Sequence, residues 1–239
     1  HARFKDIVEQ MKERTGTWLI LGRTQELVRE LEGFARMHGV FFQNTKGKHS
    51  FDLNKWNAIQ YWKRLKEGGT VKKEEAGVIY TYINEIAYGW RSIESKRWKS
   101  LADEKTYSLD FLCSFGGLSA KPYKWQQVFN RNFPESDKQY FEKIIEKNID
   151  LSLASNIVID TIHSIKGGEA QHVCVYEKAN WPAHFENKVG LARSSESRVW
   201  YVAVTRAKES LHILRSYHEY FFPLARLYNQ FIKEHHGSS

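Results

Sequence analysis

The stretch IVIDTIHSIKGGEAQHVCVYE, residues 157–177, decides the fold. Two apolar runs of strand composition flank an interruption that carries His163, Lys166, Gly167, Gly168 and Glu169. A buried strand broken in this way loses hydrogen bonding and chain entropy unless the polar residues serve a junction or a site. The reading is therefore two buried strands, NIVIDTIH and HVCVYEKA, joined by a loop that binds something.

Working outward, TWLILGR (residues 17–23) and SLHILRS (210–216) have the same strand character, and VFFQN (40–44) reads as a further short strand. Helical spacing separates them. HARFKDIVEQMKERTG opens the chain as an amphipathic helix, and TQELVRELEGFARMHG places Leu27, Leu31, Phe34 and Met37 on one face. DLNKWNAIQYWKRLKEGG aligns Trp56, Ile59, Trp62 and Leu65 and stops at two glycines. SSESRVWYVAVTRAKE and FFPLARLYNQFIKEHH complete the helices. Between them, residues 69–150 show helical spacing (Val78, Ile79, Tyr82, Ile83, Ile86, then Phe141, Ile144, Ile145, Ile149) and almost no strand pattern. We therefore expect an α/β domain with a parallel sheet and flanking helices, formed by 1–68 and 151–239, interrupted by an all-helical insert at 69–150.

Composition bounds the function. The 239 residues are 41% hydrophobic, enough for a sizeable core, and carry a net charge of +8, which favours a polyanionic partner but also serves solubility. Cys113 and Cys174 make no disulfide framework, which points to a reducing compartment. There is no metal-ligand cluster and no apolar run near the roughly 18 residues of a membrane span. Trp90, Trp98 and Trp125 form either an aromatic nucleic-acid surface or core, and burial is the weightier reading.

Three stretches carry chemistry: Arg23 at its strand end; Thr161, His163, Ser164, Lys166, Gly168 and Glu169 in the interrupted segment; and Thr205, Arg206 and Lys208 in VAVTRAKE. Open α/β sheets place ligands at strand ends, so all three are expected to face one crevice. Arg23 and Arg206 offer five-donor forks suited to phosphate oxygens. Each residue alone has a plainer reading: Arg23 as a cap or paired with Glu26, Arg206 paired with Glu209, the glycines as a turn, His163 as a satisfied core or cap residue, Lys166 as a solvated lysine.

Together, and in order, GR (22–23), TIHSIKGGEAQHV (161–173) and SRVWYVAVTRAKESLHIL (197–214) resemble motifs IV, V and VI of superfamily 1 DNA helicases of the UvrD and Rep type. The resemblance implies the second RecA-like P-loop NTPase domain of an ATP-dependent translocase on single-stranded DNA, moving 3′ to 5′. It implies γ-phosphate contacts, and so catalytic roles, for Arg23 and Arg206. Glu169, with Gly168 beside it, falls on the nucleotide sugar. Thr161, His163, Ser164 and Lys166 fall on the DNA side, and Arg198 and Tyr201 support motif VI. ATP and Mg²⁺ belong mainly to an N-terminal RecA-like domain, which is the expected partner together with single-stranded DNA and single/double-strand junctions. A cytoplasmic protein of bacterial or phage origin follows from the same resemblance.

The departures matter too. No G-x-x-x-x-G-K-[ST] occurs, and the nearest fragment, TKGKHS (45–50), lacks the leading glycine and has His49 where a hydroxyl belongs. GGE replaces the common GLE at 167–169. The expectation is a C-terminal half of a helicase, inactive alone. The alternatives are a non-enzymatic nucleic-acid-binding or regulatory module, or the helicase-like part of a helicase–nuclease.

Overall fold

A computed structural model describes residues 3–83, 86–87, 90–91, 97–103, 105–116, 118, 124–151, 153–165, 167–179, 193–216 and 220–224. The chain divides into two compact units, residues 1–50 with 143–239 and residues 51–142.

The first unit is built on β1 (Trp18–Gly22), whose five residues are all buried. It lies between β6 (Ile157–Thr161) and β7 (Ala170–Tyr176), with β8 (Ala207–Leu214) beyond β7, giving the order β6-β1-β7-β8 with every pairing parallel. Side chains alternate across β1 with period two. Trp18 and Ile20 enter one core with Leu27, Val28 and Leu31, while Leu19 and Leu21 enter the other with Val173, Val175 and Trp200. The first core is closed by α1 (Phe4–Glu13) and α2 (Gln25–Met37), the latter capped by Thr24, whose hydroxyl accepts from Leu27 N. The second is closed by α8 (Arg193–Val204) and by Ile162 and Ile165 of the β6–β7 crossover. This is an α/β fold with a parallel sheet and flanking helices.

VFFQN forms no strand. Val40, Phe41 and Phe42 are buried, but ladder bonding is confined to Gln43, which bridges Val158 in parallel before the chain turns at Asn44. The approach to this segment needs Gly39: its φ is +59°, and a Cβ there would lie 2.6 Å from Lys143 Cβ. Of the closing helix expected at 221–236, Phe221 instead bridges Lys178, and the part after Leu224 lies outside the described residues.

The second unit corrects two expectations. It is not all helical: β2 (Thr70–Lys72) pairs antiparallel with β5 (Thr106–Ser108), and β3 (Ile86–Ala87) with β4 (Trp90–Arg91). In the first pair only Val71 and Tyr107 point inward, too few to register as an alternating pattern. The unit also begins earlier than 69. Helix α3 (Leu53–Lys66) buries Ala58, Ile59, Trp62 and Leu65 in one core with Ile79 and Tyr80 of α4 (Lys73–Thr81), Leu112 of α5 (Leu109–Ser114) and Val128 of α6 (Trp125–Val128). Gly68 and Gly69 therefore close a helix inside the unit and mark no boundary. Helix α7 (Glu135–Glu146) runs across the division at 142/143. Trp125 is partly buried against this core, with its ring 5.9 Å from Phe133, whereas the side chains of Trp90 and Trp98 lie outside the described residues.

A partly buried hydrogen-bonded chain holds the entry to β1 against β7 and β8. His172 Nε2 lies 3.0 Å from Thr15 O and must donate, so His172 Nδ1 accepts from the Ser210 hydroxyl at 2.8 Å. The Ser210 oxygen in turn accepts from His212 Nε2 at 2.9 Å. Trp18 packs on both imidazoles, with centroids at 4.6 and 5.3 Å. Burial, together with Arg14 and His172, holds His212 below its ordinary value of 6.5. The unfolded chain thus takes up a proton that the folded chain resists, and stability falls as pH drops below about 6.5. Half-buried Glu32 and buried Glu177 are shifted upward and act in the opposite sense. Thermal melts at pH 7.5 and 5.5 are expected to show that His212→Asn loses less on acidification than the parent protein; equal losses would remove His212 from the account.

Candidate functional site

The parallel register sorts the sequence-predicted residues onto two opposite edges of the sheet. Gly22 pairs with Thr161, so Arg23 and His163 follow the C-terminal ends of β1 and β6. Ala170 pairs with Ala207, so Glu169 and Arg206 precede the N-terminal ends of β7 and β8. Leu21 stands level with Val175, and at about 3.3 Å per residue the two edges are roughly 20 Å apart. The three stretches do not share one crevice.

At the C-terminal edge, Arg23 makes a bidentate pair with Glu196, Nε to Oε1 at 2.8 Å and a terminal nitrogen to Oε2 at 3.0 Å. Its other terminal nitrogen lies 3.0 Å from His163 Nε2. A guanidinium has no acceptor, so the imidazole accepts and its ring proton sits on Nδ1. The Glu196 side chain is 3% exposed and Arg23 20%, and Glu196 Oε1 also accepts from Trp200 Nε1 at 2.9 Å. Glu196 escaped the sequence reading. The available signal was its place on the buried line of α8, one turn before Trp200 and two before Ala203, where a carboxylate requires a partner.

Beside it, Thr161 is buried and its hydroxyl bonds Ser164 Oγ at 2.7 Å and Ser164 N at 3.2 Å, which shapes the turn that exposes His163 and Ser164. Asp160, also unread from the sequence, accepts from Thr161 N at 2.7 Å and from Thr45 N at 3.1 Å and Oγ1 at 2.5 Å. Burial alone would raise its pKa, but these hydrogen bonds prevail and lower it. Lys166 lies outside the described residues.

At the N-terminal edge, α8 ends at Val204, and Arg206 stands in the turn before β8, so pairing with Glu209 across a helix does not arise. Arg206 Nε donates to Val202 O at 3.0 Å, and its carbonyl accepts from Ala170 N at 3.1 Å. The remaining fork nitrogens of Arg206 have no bond among the described residues. Glu169 pairs with Lys208 at 3.1 Å, with both side chains at least half exposed. Gly167 has φ +85° and opens the turn; Gly168 N donates to Ile165 O at 2.8 Å. Tyr201 is 67% exposed, so the support expected of it on α8 comes instead from Glu196 and Trp200.

Residues 162–169 connect the edges. They leave β6 at one edge and enter β7 at the other, pinned to the sheet face by buried Ile162 and Ile165. Parallel crossovers usually take a dozen or more residues and a helix, so this one has little room for detour. Among the described residues no group of His, Cys, Asp and Glu is arranged to hold a metal ion, and none of the helices is long and apolar enough to cross a membrane.

Breaking a buried pair strands the remaining charge, at a cost of about 3 kcal/mol. Urea denaturation is expected to show losses of that size in Arg23→Ala and in Glu196→Ala, with the double variant little worse than either. Additive losses would mean that the two side chains act independently.

Residues 138–220 fit the model of the UvrD-like helicase C-terminal domain, a span that holds β6, the crossover, β7, α8 and β8 but not the Arg23 strand. No curated protein matches the chain. Over residues 138–220, with the crossover and the Arg206 turn inside the match, the chain is similar to the UvrD-like helicase C-terminal domain.

Proposed function

We propose that the first unit is the second, RecA-like motor domain of an ATP-driven translocase on single-stranded DNA, moving 3′ to 5′. The observation that carries this reading is the short crossover 162–169, which ties an edge bearing His163 and Ser164 to an edge bearing Glu169 and Arg206. A motor needs its nucleotide site and its track to move together, and one short segment spanning both supplies that link.

In this reading Glu169, Gly168 and Arg206 meet the nucleotide. The guanidinium of Arg206, already held through Nε, keeps its remaining donors for phosphate oxygens, where fixed positive charge stabilises the transferred group. His163 and Ser164 meet the DNA strand, with Lys166 on the same loop and Thr161 holding the turn. Arg23 is assigned to the DNA edge as the residue that orients His163, in place of the γ-phosphate role the resemblance gave it. ATP and Mg²⁺ require a phosphate cradle and acidic metal ligands, which a first RecA-like domain supplies. The second unit takes the place of the insert that relatives direct at single/double-strand junctions.

The purified chain is expected to bind a fluorescent oligothymidylate in a salt-dependent manner and to hydrolyse ATP at no more than background. In an enzyme assembled with its phosphate-loop domain, Arg206→Ala is expected to lower turnover on the order of a hundredfold, about 3 kcal/mol. His163→Ala is expected to leave DNA-independent turnover intact and reduce its stimulation by DNA. Unchanged turnover in Arg206→Ala would remove the nucleotide role, and failure of the chain to bind the oligonucleotide would remove the DNA role.

A further inference from the structure

TKGKHS, the fragment that failed as a phosphate loop, forms a rigid turn at the C-terminal edge. Asn44 Oδ1 accepts from Lys46 N at 3.0 Å and Lys48 N at 2.9 Å, Asn44 N donates to Lys48 O at 3.0 Å, and Gly47 takes φ +75°. Gln43 bridges back to His49, closing a small hairpin. The hairpin is fixed to the sheet through Thr45, whose backbone and hydroxyl both donate to the buried carboxylate of Asp160.

Its place follows from register. Gln43 runs parallel beside β6 opposite Val158, so the hairpin projects past the same edge as Thr161 and Ser164, one strand spacing outward, while Arg23 lies one strand inward. With strands about 4.8 Å apart, the hairpin, the His163 turn and Arg23 form a row roughly 10 Å long. Lys46 and Lys48 are exposed, as is Thr45 between them and the sheet. Acidic groups facing this turn include Asp160, whose oxygens are bonded to Thr45 and Thr161, and the half-buried Glu32 of α2, which Lys48 influences.

A buried aspartate at a sheet edge is costly unless bonded, and here its bonds immobilise a turn whose outward side chains are two lysines. Fixing two cations beside a strand track adds backbone contacts without reading sequence. We propose that the Asn44–His49 hairpin is an additional phosphate-binding element for single-stranded nucleic acid, with Lys46 and Lys48 contacting the backbone and Thr45 and Asp160 positioning them. This rests on the assignment of the His163 edge to the DNA strand.

The test is fluorescence anisotropy of the full chain with labelled oligothymidylate across a salt series, using the parent protein, Lys46→Gln/Lys48→Gln, Thr45→Val, Thr45→Ser and His163→Ala. Two lost phosphate contacts on a single strand should make the slope of log K against log salt shallower by about 1.4, with affinity falling on the order of tenfold at low salt. Thr45→Val retains both lysines and should still lose affinity, and Thr45→Ser should restore it. If the parent protein binds and His163→Ala weakens it while the double lysine variant keeps the parental slope, the hairpin inference is overturned and the DNA edge stands. If the parent protein does not bind, both fall. Melting temperatures of the exposed lysine variants should match the parent, separating lost contact from lost fold.

Discussion

A strand of five residues with no solvent-facing side governs this protein. Because Trp18 and Ile20 bury on one side of β1 and Leu19 and Leu21 on the other, both neighbouring strands must supply apolar residues to both layers, and both faces must be roofed. Those demands select parallel pairing with crossovers over the faces. They also explain why residues distant in sequence meet: β6 and β7 are recruited across the whole second unit to flank β1, which sets Arg23 beside the His163 turn and beneath Glu196 of α8.

The ion pair at Arg23 shows how a core can fix a polar edge. Trp200 is buried against Phe222 at 5.0 Å, and its indole nitrogen orients Glu196, which grips Arg23, which in turn holds the imidazole. Each link is satisfied only if the next is present, so the edge inherits the rigidity of the α8 packing. The opposite edge is built differently: Glu169 and Lys208 are solvent-exposed partners, and Arg206 is held by a single Nε bond. One edge is preset and the other adaptable.

Much of this was legible. TWLILGR, NIVIDTIH, HVCVYEKA and SLHILRS all fall on strands of the sheet, because continuous apolar runs between turn residues report burial directly. What escaped has physical causes. Three-residue strands such as Thr70–Lys72 carry a single inward side chain and leave no period to detect. The division between units is set by where Trp62 and Leu65 find partners, a tertiary choice that helical spacing does not encode. Above all, order along the chain identified Arg23, Glu169 and Arg206 together but said nothing of direction: a residue after a strand and a residue before one lie on opposite sides of a parallel sheet. Glu196 and Asp160 were hidden because carboxylates at those spacings look like ordinary surface charge until their burial is known.

The shortness of the β6–β7 crossover has a mechanical meaning. A chain of about nine links can reach roughly 30 Å at full extension, and this one covers some 20 Å down the sheet while stepping across β1. The remaining contour is taken up by the turns Thr161–Ser164 and Ile165–Gly168. Such a tether is short and stiffened by its bonded turns and by buried Ile165, so a displacement at Glu169 is passed toward Ser164 and His163 only through those turns. Length alone, without any change of residue type, would therefore tune the gearing: an inserted glycine would let one end move without the other and turn a drive shaft into a loose cord.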